Sequence, residues 1–141
     1  MRSPTVERIE HQGLLLAVVI PHEFTAPGAH FVTPDEFGQQ VGILCHPAGT
    51  RLRPHIHPHV TRQVVDALEF LVVRQGRVLV DLYGPEGGAA IHTAELETGD
   101  AILLVDGGHG LRMLEDCHIL EAKQGPYTGV ADKSFLDPSG S

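Results

Sequence analysis

Short apolar or alternating runs, each closed by Gly, Pro or Asp and recurring about every ten residues, constrain this chain more than any other feature. They predict strands at 5–10, 14–20, 40–46, 50–57, 67–74, 77–83, 91–97, 101–105, 110–115 and 117–123. Turn residues fall between them at Gln75-Gly76, Gly84 to Gly88, Gly99-Asp100 and Asp106 to Gly108. No long window carries a clean helical period. The best helical signal, Thr33-Pro34-Asp35-Glu36, reads as a capping box with Pro at the first helical position, and Gly38 limits it to a single turn. The class is therefore all-β. So many short strands in 141 residues fit a β-sandwich or jelly-roll barrel better than an open sheet, because closure removes exposed edges.

Composition narrows the function classes. The chain is 42% hydrophobic and 20% charged, which suits one domain that buries a core without disulfide staples. Cys45 and Cys117 form no CxxC and are expected as reduced thiols. A formal charge of −8 with His neutral opposes binding to a phosphate backbone or an anionic membrane, so neither nucleic acid nor membrane is an expected partner. The longest apolar stretch, Leu14 to Ile20, is far shorter than the roughly 20 residues of a spanning helix. Arg2, Glu7 and Arg8 do not introduce a signal segment of ordinary length, and the expected location is the cytoplasm. The 67–74 segment is apolar on both faces, Leu71 and Val73 on one and Leu68, Phe70 and Val72 on the other. That pattern calls for a second covering sheet or a subunit interface, and a homodimer is expected. The end of the chain, Asp132 to Ser141, reads as a loosely held tail.

Ten histidines, scattered rather than consecutive, are the unusual entry in the composition. His55-Ile56-His57 would place two imidazoles on one face of a strand about 7 Å apart, within reach of one cation. Ten histidines placed at random would give about 0.7 such pairs, so the motif needs context. Gly49 precedes the pair as a turn residue, Glu69 begins the next strong strand, and His109 follows a Gly-rich turn after the 101–105 strand. Three imidazoles and one carboxylate suit Fe(II), Mn(II), Ni(II), Co(II) or Zn(II) and leave coordination positions open. His59 shares parity with His57, but Pro58 interrupts the run and leaves it as a loop residue.

In this arrangement the sequence resembles the cupin superfamily, and in detail its small single-domain bacterial members. Gly49, His55, His57, Glu69 and Gly76 match the first cupin motif, G, five residues, H-x-H, a gap, E, six residues, G; the gap is eleven residues here instead of three or four. Gly99-Asp100, the run Ala101 to Val105, Gly107-Gly108 and His109 resemble the second motif, without its proline, and Met113 stands where Asn is frequent. Phe31-Val-Thr-Pro and Glu121-Ala-Lys-Gln-Gly-Pro-Tyr127 also resemble segments of these cupins. The resemblance covers about residues 40–124 and implies a jelly-roll barrel core there. Residues 1–39 would add strands and one helical turn, and 125–141 a C-terminal extension, within one domain. It implies one divalent transition metal held by His55, His57, Glu69 and His109.

Beside that quartet, Arg53 has the parity of His55 and offers a guanidinium to a substrate carboxylate, or else a surface salt bridge. Glu121 offers an acid or base, or else a strand ion pair with Lys123. Arg62 lies in the inserted loop, and Cys45 and His46 precede a Pro-Ala-Gly turn. No G-x-S-x-G, P-loop or G-x-G-x-x-G is present, which leaves the metal as the expected reactive centre. The expected function is a metal-dependent enzyme acting on a small polar molecule such as a sugar or a hydroxy- or keto-acid derivative. Isomerase, epimerase, lyase and dioxygenase chemistry all remain open, as does a non-catalytic module that binds or senses a small molecule or metal.

Overall fold

A computed structural model describes residues 4–136. They divide into two compact units, one of residues 4–24 and 67–136, the other Thr25–Asp66. Among the described residues no helix is long and apolar enough to cross a membrane.

The larger unit holds eight strands. β1 (Glu7–His11) and β2 (Leu14–Ile20) form a hairpin closed by Gln12 and Gly13, whose φ values of 50° and 81° fit the two-residue turn that matches strand twist. In the smaller unit β3 (Gly28–Phe31) pairs antiparallel with β4 (Gly42–Cys45). The chain then returns to the larger unit with β5 (Glu69–Gln75), β6 (Arg77–Gly84), β7 (Gly87–Glu97), β8 (Ala101–Leu104), β9 (Gly108–Met113) and β10 (His118–Lys123). A 3-10 helix, Gly129–Asp132, follows. The strands of the larger unit form a five-stranded sheet, β1-β2-β8-β5-β10, and a three-stranded sheet, β7-β6-β9, with every pair antiparallel.

One core joins these two sheets. Ala17, Val19, Leu71, Val73, Ile102 and Leu104 meet Val78, Val80, Leu82, Ala94 and Leu96, all buried, which makes the arrangement a β-sandwich. Alternation along each strand explains the membership, since residues two apart share a face. Leu16 breaks parity with Ala17 because the β1–β2 register skips it between Ile9↔Ala17 and Glu10↔Leu15, and this bulge turns it into the core. The opposite side of the five-stranded sheet is also buried at its centre within one chain, with Val18 and Leu103 at 0% exposure. Further along that side Phe70 and Val72 are half-buried and Leu120, opposite Val72, is exposed.

The sequence reading is corrected at three places. Residues 50–57 are not a strand: Pro54 removes a ladder donor in mid-stretch, Pro58 follows it directly, and Arg51 to His57 are all exposed. β3 was not expected, because Gly-Ala-His-Phe is only four residues long and carries no β-branched residue. The capping box at Thr33 does not form; the Thr33 hydroxyl donates to Gln40 Oε1 at 2.8 Å and accepts from the Val41 amide at 3.1 Å, closing a loop over one turn. The expected loose tail from Asp132 lies partly outside the described residues. Asp132 itself accepts hydrogen bonds from the Thr128 amide and hydroxyl, which hold its carboxyl below the usual range.

On the outward face of the three-stranded sheet, Asp81 is buried and receives Arg112 in a two-pronged bond, Nε to Oδ2 at 2.7 Å and the terminal nitrogen to Oδ1 at 2.8 Å. Thr93 donates to the same Oδ1 at 2.6 Å. Hydrogen bonds from Arg112, then Thr93, hold the Asp81 carboxyl below its ordinary value. Asp81→Ala should destabilise the chain by about 1–2 kcal/mol, since it removes the charge-assisted bonds from Arg112 and the bond from Thr93 while those exposed partners turn to water, and urea unfolding at neutral pH checks this. Because the folded pKa lies below the unfolded one, this contribution is complete above about pH 4 and disappears as pH falls through the folded value. The difference in midpoint between wild type and Asp81→Ala should therefore shrink on acidification; a constant difference would contradict it.

Candidate metal centre

Two of the four sequence-derived ligands meet in the sandwich. Glu69 opens β5 on the face of Leu71 and Val73, and in β9 His109 lies opposite Leu82 on the inner face of the second sheet. The parity of the two strands thus turns both side chains toward the space between the sheets, at the end where the core gives way to polar groups. His109 Nε2 is 3.1 Å from Glu69 Oε2, with side-chain exposures of 35% and 20%. Beside His109, a pocket of about 50 Å³ is lined by Leu16, Leu82, Leu104, Gly107 and Gly108. Gly107 is required in this lining: its φ is +73°, and a Cβ there would collide with the Tyr83 carbonyl oxygen and reach Leu16 at 3.1 Å.

Neighbouring strand β10 adds charge to the same face. Lys123 lies opposite Glu69 and Glu121 opposite Leu71, which gives both the inward parity of β5. Glu121 is exposed. Lys123 turns its Nζ to Asp132 at 3.8 Å and over the Tyr127 ring at 5.9 Å from the centroid, so its observed ion pair is not with Glu121. The inward position of Lys123 was legible from its two-residue spacing to Glu121, but the partner on the 3-10 helix was not.

His55 and His57 belong to the smaller unit, where both are exposed. Because this stretch is not a strand, strand alternation does not align them. Their rings nevertheless meet edge to face, with centroids 4.9 Å apart and an interplanar angle of 73°. His55 Nδ1 donates to the Arg53 carbonyl at 3.0 Å. A carbonyl only accepts, so in the neutral imidazole this bond places the proton on Nδ1 and leaves the Nε2 lone pair for a cation. The Arg53 side chain is exposed, as are Arg62, His46 and His59, and Cys45 is a half-buried free thiol.

Comparison of the chain with protein-family models, with curated proteins and with solved structures finds no match to any of them.

Proposed function

We propose that this chain is a divalent-metal-binding cupin in which His55, His57, Glu69 and His109 hold one Fe, Mn, Zn, Ni or Co ion. The observation that carries this reading is the Glu69–His109 pair. Two metal–ligand bonds of about 2.1 Å separate their donor atoms by about 3.0–3.4 Å at octahedral or tetrahedral angles, and the observed separation is 3.1 Å. A protein-derived second contact orients one further imidazole, through the His55 bond to the Arg53 carbonyl. The motif spacing around Gly49, Glu69, Gly76 and Gly107 to His109 supports a cupin jelly roll as the particular form of the sandwich.

On this reading the protein is a metal-dependent enzyme for a small polar molecule, such as a sugar or a hydroxy- or keto-acid derivative, of isomerase, epimerase, lyase or dioxygenase type. A bound divalent ion supplies a Lewis acid to a substrate oxygen. Glu121 holds or moves a proton at its carboxylate, and Arg53 engages a substrate carboxylate through two parallel N–H bonds. The alternative, a non-catalytic module that binds or senses a small molecule or metal, is favoured by one observation. The pocket beside His109 is about 50 Å³, room for water-sized ligands, whereas substrate pockets commonly run to about 300–1,000 Å³.

Dialysis from neutral pH to pH 5 should release the metal as the imidazole ligands take up protons, measured as atoms per chain in the retentate. Full retention would count against a histidine-rich centre. The cytoplasm is the proposed location. A homodimer is proposed from the outward apolar patch of Phe70, Val72 and exposed Leu120. Size-exclusion chromatography with light scattering should give twice the chain mass at micromolar concentration; a monomer would remove that proposal.

A further inference from the structure

Within the larger unit, each of the two sheets carries a two-residue hairpin turn, and the two turns flank one further pocket. In the five-stranded sheet Gln12 and Gly13 join β1 to β2, closed by the pair His11↔Leu14. In the three-stranded sheet Pro85 and Glu86 join β6 to β7, closed by Gly84↔Gly87. The pocket between them is about 320 Å³ and is lined by His11, Gln12, Leu14, Gly84, Ile91 and the Pro85-Glu86-Gly87 turn. It shares no lining residue with the smaller pocket beside His109, and it reaches the size at which small organic molecules are bound, about 300 Å³ upward.

Gly84 keeps this space open. No positive φ calls for glycine there; what a side chain would take is room, since a Cβ would stand 3.2 Å from Ile91 Cδ1 and 3.9 Å from His11 Cδ2, on two walls of the pocket. Leu14 and Ile91 are 37% and 38% exposed, which leaves apolar surface for the body of a ligand to cover. The permanent charge is of one sign: Glu86 supplies a carboxylate, and no Lys or Arg is among the described lining residues. Gln12 adds an amide oxygen that accepts hydrogen bonds. With a formal net charge of −8 on the chain, the surrounding field also attracts a cationic head group and repels an anionic one.

We propose that this pocket is a binding site for a small primary amine with an apolar body, the ammonium group against Glu86 and the body against Leu14 and Ile91. The site is separate from the proposed metal centre, and neither reading depends on the other. The competing account is a depression between two turns with no ligand of its own.

Tryptamine is a suitable probe, because the chain contains no Trp and indole emission then belongs to the ligand alone. Titrating the full chain into tryptamine at pH 7.5, read by fluorescence anisotropy, should give saturable binding, with weaker binding of indole-3-propionate, which carries the same ring and the opposite charge. Glu86→Gln should weaken tryptamine binding about three- to fivefold, the upper range of one solvent-exposed ion pair. Glu86 is exposed, so an unchanged melting curve should show that this variant keeps the fold. Gly84→Ala, whose added methyl meets the flexible end of Ile91, should also weaken tryptamine by narrowing the pocket. Amide chemical-shift changes on binding should cluster at residues 11–14 and 84–91. No saturable binding, equal affinity for the two probes, unchanged affinity in Glu86→Gln, or shift changes confined to other residues would overturn the proposal.

Discussion

A chain carrying His55→Ala and His57→Ala should fold as wild type does and bind about one equivalent of divalent metal less. Both rings are exposed and neither belongs to the sandwich core, so their loss opens no cavity, and the expected stability change is within about ±0.5 kcal/mol. The metal consequence is large because the variant removes two of the four proposed ligands. Even contacts to a metal's ligands, one step removed from the ion, are worth about 10–100-fold in affinity. Circular dichroism and metal content, read on the same preparation, check both halves. Undiminished metal would take His55 and His57 out of the ligand set.

The largest effect on stability is expected at Leu82. It is 1% exposed, sits in the shared core of the two sheets, lies opposite His109 and lines the pocket beside it. Leu82→Ala should cost about 2–5 kcal/mol, the transfer free energy of the lost methyl groups plus the cavity that the packed sheets only partly close. Because the same side chain backs His109, the variant should also weaken metal binding, whereas Leu96→Ala, equally buried but on β7, should lower stability without that loss. Denaturant unfolding with parallel metal titration tests the pair; a stable Leu82→Ala would mean the core is less tightly filled than its burial indicates.

Strands bounded by turn chemistry were readable, β6 by its alternation and β2 and β8 as short continuous apolar runs buried on both faces. β2, β5, β6, β8 and β10 fall within a residue or two of the expected segments for that reason, and the sandwich follows from their number and length. β3 could not be seen, since Gly28 to Phe31 is short and lacks β-branched residues, and its pairing with β4 is settled by backbone partners. The 50–57 stretch was misread because its polar and apolar residues alternate while Pro54 withholds an amide that a ladder needs. At the site, Glu69 and His109 stand 40 positions apart, and only their turn-adjacent and strand-initial placement hinted that they meet. The contact of Asp100 with the His22 amide left no such hint, since it depends on the long-range pairing of β2 with β8.

The proposed metal centre is tested most directly by elemental mass spectrometry on untagged wild type and His109→Ala, both purified without added metal and compared as atoms per chain. The expected result is one more equivalent of Fe, Mn, Ni, Co or Zn in wild type than in the variant. Equal content in the two proteins, persisting after reconstitution with each metal, would contradict it.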